Sequence, residues 1–143
     1  MTPIYTASAT ATGDGRNGRT TSSDGVLDLE LAVPTEMGGP GGAKTNPEQL
    51  FAAGYAACFH SALKAVARLE NATLTDTAVV ADVSFLGGEG GPLLAVALHI
   101  EIPGVAQAVA EDLVAKAHQM CPYSRATRGN IEVTLSVEGA PAG

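Results

Sequence analysis

The chain is poor in positive charge, in large aromatic side chains and in cysteine. Eight lysines and arginines stand against 15 acidic residues, which gives a formal net charge of −7 at pH 7. Nucleic-acid phosphates bind to basic surfaces, so we expect no nucleic-acid partner. The longest apolar stretch without a formal charge covers residues 49–63. A membrane-spanning helix needs about 20 apolar residues, so we expect no membrane segment.

Two cysteines and three histidines limit the chemistry further. The first ten residues have neither a basic region nor an apolar core, so they do not resemble a secretory signal and predict a cytoplasmic protein. Structural disulfides are uncommon in that compartment, so Cys58 and Cys121 are either two buried thiols or a redox pair. The cysteines and histidines lack the spacing of zinc ligands, so we expect no metal site.

The 143 residues fit a single domain, residues 1–143. Hydrophobic residues make up 45% of the chain, which is normal for a globular protein, but only 4% are aromatic and there is no tryptophan. Few large side chains are therefore available to anchor a core. We expect a sizeable apolar face on a single chain, which favours an oligomer.

Alternating hydrophobicity and turn signals predict the order β-β-β-α-β-β-α-β, an α+β fold. The predicted strands cover residues 3–12, 19–23, 26–33, 77–86, 92–102 and 131–137. The predicted helices run from Pro47 to near Asn71 and from Val105 to Met120. GDGRNG, residues 13–18, and GGEGG, residues 87–91, are rich in turn formers and separate neighbouring strands.

The first helix has an explicit start signal. Asn46 suits the N-cap, and Pro47 suits the first helical position, where no amide donor is needed. Glu48 lies in the first turn, where the helix dipole favours a negative charge. Gln49 follows Asn46 at the spacing of a capping box. The helix that follows is long, rich in alanine and nearly uncharged, so we expect it to be buried on most sides.

Cys58 lies in the middle of this helix, among uncharged neighbours. On its own, such a cysteine is typical of an inert small hydrophobe, and reactivity requires a cation from elsewhere in the fold. His60 is two residues away and points in nearly the opposite direction on a helix. His118 precedes Cys121 by three residues and contacts it only if the second helix extends that far.

Arg16 and Glu48 are two further candidates. Arg16 lies among glycines in the 13–18 loop, and on its own it is typical of a solvated loop residue. Glu48 is about 15 Å from Cys58 along an α-helix, so it cannot contact the thiol by that route. It could hold an arginine that does, although its position alone indicates helix capping.

Three segments carry a resemblance to a known family. They are TNPEQLFAAGYAACF at residues 45–59, KAHQMCPYSRATRGNIEV at residues 116–133 and SSDGVLDLELAVP at residues 22–34, with weaker matches at GDGRNG and at GGPGG, residues 38–42. Together they resemble the organic hydroperoxide resistance (Ohr) family, a branch of the OsmC-like superfamily. The words CPYS and ATRGN favour the Ohr branch over the OsmC branch.

The resemblance implies a thiol-dependent peroxidase that acts on organic hydroperoxides. It implies an α+β intertwined homodimer with a long central helix that carries the first cysteine, and two sites at the subunit interface. Cys58 would be the peroxidatic thiol and Cys121 the resolving thiol, joined in a disulfide during turnover. Arg16, which fits the family pattern better than Arg19, would bind the thiolate, and Glu48 would position Arg16.

The family is recycled by lipoyl-bearing dithiols. The resemblance therefore implies a lipoyl dithiol, such as dihydrolipoamide or a lipoylated protein, as reducing substrate, and no bound cofactor. Two alternatives remain open from the sequence. One is an OsmC-branch peroxidase with a different peroxide preference, and the other is a non-catalytic dimeric binding module with inert thiols.

Overall fold

The structure, a computed structural model, describes residues 1–141 and divides the chain into two compact units. The first unit covers residues 1–50 and the second begins at Phe51. The single domain inferred from the chain length stays a prediction.

The first unit contains a three-stranded antiparallel sheet in the order β1-β2-β3. Its strands are β1 (Ala9–Thr12), β2 (Arg19–Ser22) and β3 (Asp28–Glu30). The loop between β1 and β2 contains a single 3-10 turn, Gly15–Asn17. Gly18 closes this loop, and a Cβ atom there would lie 2.2 Å from the backbone oxygen of Thr12, so the position requires glycine.

Two strands of the first unit are shorter than predicted. The strand predicted over residues 3–12 begins at Ala9, and the one predicted over residues 26–33 covers Asp28–Glu30. A turn explains the later start of β3, because the side-chain oxygens of Ser22 and Asp24 accept the backbone N–H groups of Leu27 and Val26 at 2.9 and 3.0 Å. These N–H groups therefore cannot take part in a sheet ladder.

The second unit is built on a sheet in the order β4-β5-β6. β4 (Ala78–Leu86) pairs antiparallel with β5 (Leu93–Ala106), and β5 pairs parallel with β6 (Val133–Ala140). A parallel pair needs a crossover connection. Two helices supply it, α2 (Gln107–Met120) and α3 (Pro122–Thr127). The predicted order lacked α3, and the second predicted helix begins two residues later than expected because β5 continues to Ala106.

The long helix α1 (Pro47–Leu69) provides one wall of the core of the second unit. Its buried residues pack with those of β5 and α2. The fully buried large side chains of this core are Tyr55, Phe59, Leu63, Leu98, Ile100, Ile102, Leu113 and Val114. The predicted cap is present, since the backbone N–H of Gln49 donates to Oδ1 of Asn46 at 2.8 Å.

Two expectations for α1 differ from the structure. Ala53, Ala57 and Ser61, spaced four residues apart, are exposed, so the helix is not buried on most sides in a single chain. By length and hydropathy alone α1 is also long enough to cross a membrane, contrary to the expectation from the uncharged stretch. Core helices meet the same criteria, and the packing of Tyr55 and Phe59 in the core makes α1 a core helix here.

Candidate active site

The two cysteines of the chain lie side by side in the second unit. The Sγ atom of Cys121 is 3.7 Å from the Sγ atom of Cys58, and both residues are free thiols. Cys58 lies on α1, whereas Cys121 occupies the single extended residue between α2 and α3. Pro122 fixes this break, because it begins α3 at a position where no N–H donor is needed. The chain therefore turns at Cys121 and presents its sulfur to α1.

Burial and a neighbouring sulfur control the chemistry of Cys58. Cys121 is fully buried and Cys58 is half-buried. Burial raises the pKa of the Cys58 thiol above its ordinary value, because loss of water disfavours the thiolate. A backbone hydrogen bond from Tyr123 acts in the opposite direction and lowers this pKa, whereas the sulfur of Cys121 raises it further. The balance favours the neutral thiol.

Three aromatic rings pack next to the thiols. Tyr123 follows Cys121 by two residues, and its ring centroid lies 5.6 Å from that of Tyr55 and 6.0 Å from that of Phe51. Gly54 makes this packing possible, because a Cβ atom there would lie 2.7 Å from the Tyr123 hydroxyl. A mid-helix glycine costs about 1 kcal/mol relative to alanine, and the close approach of the Tyr123 ring is the reason it is present.

An open apolar cleft adjoins these rings within the second unit. Its volume is about 610 Å³, and its walls include Phe51, Leu93, Pro122, Tyr123 and Ile131. Neither cysteine lines this cleft, but Pro122 and Tyr123 directly follow Cys121 in the chain. The cleft can take a hydrocarbon group, because most of its surface is apolar.

The first unit contains a bidentate ion pair between Arg16 and Glu48. Nη1 and Nη2 of Arg16 donate to the two carboxylate oxygens of Glu48 at 2.9 and 2.7 Å. The hydrogen bonds from Arg16 hold the pKa of Glu48 below its ordinary value, and burial acts in the opposite direction. Glu48 correspondingly raises the pKa of Arg16. Both groups are therefore charged over the whole physiological pH range.

Arg19, the alternative to Arg16, has different partners. Its Nε donates to Oδ1 of Asp28 at 2.7 Å, and its Nη1 lies 3.5 Å from Oε1 of Glu30. These three side chains are all roughly half exposed. Of the two arginines, Arg16 is thus the one bound to Glu48.

Comparison with known proteins gives a consistent family assignment. The model of the OsmC-like protein family matches residues 39–136. An organic hydroperoxide resistance protein of Xanthomonas axonopodis pv. citri is 54% identical over 135 residues, which cover 94% of each chain. The organic hydroperoxide resistance protein OhrA of Bacillus subtilis is 52% identical over 141 residues, which cover 94% of this chain and 96% of the relative.

A solved structure agrees with the sequence matches. The crystal structure of an organic hydroperoxide resistance protein from Elizabethkingia anophelis superimposes with a TM-score of 0.92 at 51% identity and covers 98% of this chain and all of the other. This chain belongs to the organic hydroperoxide resistance family of OsmC-like proteins. The family resemblance and the α+β fold that it implies are therefore confirmed.

Within this Ohr-family fold, the structure brings the four candidate residues together as two pairs. Cys58 contacts Cys121 in the second unit, and Arg16 contacts Glu48 in the first. Within residues 1–141, neither His60 nor His118 makes a hydrogen bond to a cysteine. Nε2 of His60 hydrogen-bonds to Oγ1 of Thr77 at 2.8 Å.

Sequence reasoning missed a group of buried hydroxyls beside the thiols. Oγ of Ser124 lies 2.7 Å from the hydroxyl of Tyr55 and 2.8 Å from Nδ1 of His118. The sequence contains a weak signal for this group, because Ser124 belongs to the CPYS word and follows Cys121 by three residues. Among residues 1–141, no cluster of three or more metal-ligating side chains is present.

Proposed function

We propose that this chain is a thiol-dependent peroxidase that reduces organic hydroperoxides to alcohols. The observation that carries the proposal is the 3.7 Å separation between the Sγ atoms of Cys58 and Cys121. A half-buried thiol beside a fully buried one is the arrangement that a two-cysteine peroxidase needs. Relatives that share about half of its residues are named for resistance to organic hydroperoxides, which supports the same role.

In the first step, the thiolate of Cys58 attacks the distal oxygen of the hydroperoxide. The O–O bond breaks, the alkoxide leaves and takes up a proton as the alcohol, and Cys58 is oxidised to a sulfenic acid. The half-buried position of Cys58 supports this role, because the substrate must reach the sulfur.

In the second step, Cys121 attacks the oxidised sulfur of Cys58. The S–O bond of the sulfenic acid breaks, its hydroxyl takes up the proton of the Cys121 thiol and leaves as water, and a Cys58–Cys121 disulfide forms. The full burial of Cys121 supports the assignment of roles, because a sulfur that the peroxide cannot reach is suited to resolve rather than to attack.

Arg16 would activate the first step. Burial raises the pKa of Cys58, so a reactive thiolate needs a positive charge beside it. An arginine stays charged at every relevant pH, and its planar fork can bind a carboxylate and a thiolate at once. The bidentate contact of Arg16 with Glu48 supports the proposal that Glu48 orients this guanidinium.

The substrate would carry a hydrocarbon tail. No formally charged side chain occurs between Glu48 and Lys64, and the cleft beside Phe51 and Tyr123 is apolar. Each buried CH₂ contributes roughly 0.8 kcal/mol, and hydrogen peroxide gains nothing of this kind. Alkyl or fatty-acid hydroperoxides are therefore the preferred substrates.

A lipoyl dithiol, as dihydrolipoamide or on a lipoylated protein, would supply the two electrons that reduce the disulfide. Its aliphatic arm suits an apolar entrance better than glutathione, whose carboxylates would have to lose water. The functional form would be a homodimer in the cytoplasm, where thiols stay reduced between turnovers. The exposed stripe of Ala53, Ala57 and Ser61 on α1 supports a second copy covering this helix.

The test is a titration of free thiols before and after one equivalent of cumene hydroperoxide. The proposed peroxidase loses both thiols of each chain and releases one equivalent of alcohol. An unchanged thiol count after complete exposure contradicts the proposal. The reductant is tested separately, by comparing turnover with dihydrolipoamide and with glutathione.

A second candidate function is a binding module with inert thiols. The raised pKa of Cys58 favours it, because a neutral buried thiol is a poor nucleophile. The rate of alkylation of Cys58 by iodoacetamide as a function of pH separates the two functions. A Cys58 that reacts at neutral pH, and loses this reactivity in Arg16→Ala but not in Arg19→Ala, supports the peroxidase.

A further inference from the structure

A chain of polar side chains, buried at Tyr55 and Ser124 and half-buried at His118, links the two segments that carry the cysteines. The hydroxyl of Tyr55 lies 2.7 Å from Oγ of Ser124, and both side chains are fully buried. Nδ1 of His118 lies 2.8 Å from the same Oγ, on the other side of Ser124. The network thus joins one residue each of α1, α2 and α3 through a single serine.

The positions of these residues relative to the thiols are symmetrical. Tyr55 precedes Cys58 by three residues on α1, and Ser124 follows Cys121 by three residues on α3. Residues three apart on a helix lie on the same face, so Tyr55 and Cys58 share a face of α1. The Tyr55–Ser124 hydrogen bond therefore joins α1, one turn before Cys58, to α3, which begins directly after Cys121. His118, on the last turn of α2, connects this third helix to the same serine.

Every hydroxyl of the network has a partner. Thr127 lies 3.3 Å from the Tyr55 hydroxyl and donates to the backbone oxygen of Tyr123 at 2.8 Å. Burial is the larger cause, and the nearby charge of Arg128 a smaller one, of a lowered pKa of His118, so its imidazole is neutral at pH 7. A neutral imidazole can accept from or donate to Ser124 at Nδ1, according to its tautomer. Satisfied buried networks of this kind hold one geometry, because each broken bond leaves a buried polar group without water.

The resolving step needs such a fixed geometry. The Sγ–Sγ distance of 3.7 Å must shorten by about 1.7 Å to reach the length of a disulfide. Until it does, the sulfenic acid on Cys58 is open to a second hydroperoxide, which inserts an oxygen, releases an alcohol and leaves a sulfinic acid. The outcome depends on how closely Cys121 is held to Cys58, because a misplacement of about 1 Å can slow a reaction on the order of a hundredfold.

We propose that Tyr55, Ser124 and His118 are positioning residues that hold Cys121 in place to resolve the sulfenic acid of Cys58. The proposal rests on the proposed peroxidase function and deepens it. These residues do not touch the peroxide. They determine which fraction of the oxidised Cys58 forms the disulfide and which fraction is over-oxidised. The first step depends instead on the residues around Cys58 and its substrate.

Stopped-flow single turnover with an alkyl hydroperoxide separates the two steps. The variants are Tyr55→Phe, which removes one hydroxyl and keeps the ring, and Ser124→Ala, which removes the hydrogen bonds to both Tyr55 and His118. Thr77→Val is the matched control, because it removes a histidine–hydroxyl bond of the same length, that of His60 on α1. Mass spectrometry after a fixed excess of peroxide gives the sulfinic fraction of Cys58.

We expect the second phase, disulfide formation, to slow by on the order of tenfold in Tyr55→Phe and more in Ser124→Ala. The first phase should stay within about twofold of wild type, and the sulfinic fraction should rise as the second phase slows. His118→Asn, which keeps a hydrogen-bonding group near the position of Nδ1, should resolve faster than His118→Leu. Thr77→Val should behave as wild type in both phases.

Unchanged second phases in folded Tyr55→Phe and Ser124→Ala would overturn the proposal. A purely structural role of the network would lower the urea midpoint of the variants and leave the second phase and the sulfinic fraction at their wild-type values. Failure of the underlying function looks different, since wild-type protein would then show neither phase. If Ser124→Ala does not fold, Tyr55→Phe and the His118 pair decide the question alone.

Discussion

Replacing Glu48 with glutamine tests the best-formed ion pair of the first unit. Glu48 accepts two hydrogen bonds from Arg16, and its side chain is 13% exposed, against 38% for Arg16. Hydrogen bonds to charged groups contribute about 1.5–3 kcal/mol when buried, and exposure of the partner reduces this through solvent screening. We expect Glu48→Gln to lower the free energy of unfolding by about 1–2 kcal/mol.

Asp28→Asn is the matched control in the same unit. It removes the carboxylate that accepts from Nε of Arg19, in a pair whose side chains are 46% and 50% exposed. Exposed ion pairs contribute little to stability, because solvent screens the two charges. The difference between the two variants therefore measures the burial of Glu48 rather than the loss of a charge in general.

The pH dependence of stability has a definite sign. Arg16 lowers the pKa of folded Glu48 below its unfolded value of about 4.3. The stabilising contribution is therefore fully present above that unfolded value and is lost as the pH falls through the lower, folded-state pKa. Glu48→Gln cannot titrate, so the difference in stability between wild type and variant should shrink in acid.

Urea denaturation of wild type and both variants, at neutral pH and in steps below pH 4, gives their free energies of unfolding at each pH. A double-mutant cycle with Arg16→Gln then isolates the coupling between the two side chains. An equal loss in Glu48→Gln and Asp28→Asn, or a coupling free energy near zero, would refute the reasoning from burial. A difference between wild type and Glu48→Gln that persists unchanged in acid would refute the titration argument.

Three further outcomes concern the thiols. Cys58→Ser should abolish peroxide reduction, since an alcohol lacks the nucleophilicity of a thiolate, and residual turnover above a few per cent of wild type would exclude Cys58 as the nucleophile. Cys121→Ser should consume peroxide and accumulate sulfinic or sulfonic acid on Cys58, which mass spectrometry detects as added oxygen; an unmodified Cys58 would contradict the two-cysteine scheme. Three or four buried methylenes should favour an alkyl hydroperoxide over hydrogen peroxide by about 2.4–3.2 kcal/mol, which is on the order of a hundredfold in kcat/KM. Equal kcat/KM for the two peroxides would contradict the apolar pocket.

Local signals predicted most of the fold. The cap at Asn46 and the alternation in β4 and β5 depend on neighbours within a few residues, and a single sequence contains that information. The strand Asp28–Glu30 shows where prediction from local signals fails. The pattern from Val26 to Val33 alternates correctly, but the side chains of Ser22 and Asp24 capture the N–H groups that a longer strand would use.

Predicting the site requires contacts between residues that are far apart in the sequence. That Arg16 rather than Arg19 binds Glu48 depends on the path of the loop at residues 13–18, and local spacing favours neither arginine. Gly54 is a similar case. From the sequence alone, Gly54 is only a residue that destabilises a helix. The structure shows that glycine is needed there because the ring of Tyr123, 69 residues further on, packs against this position.

The energetics of Cys58 indicate what the proposed chemistry requires. An ordinary thiol has a pKa of about 8.5, and burial raises that of Cys58 further. Lowering this pKa to 7 therefore requires at least about 2 kcal/mol of stabilisation of the thiolate. The hydrogen bond from Tyr123 already acts on this thiol and its pKa is still raised, so that bond alone is too little. A guanidinium about 4 Å from the sulfur would contribute about 4 kcal/mol at an effective dielectric constant of 20, which exceeds that minimum. The proposed mechanism therefore calls for an arginine near Cys58, and because a guanidinium does not titrate in the physiological range, the pH dependence of the first step should follow the ionisation of Cys58 alone.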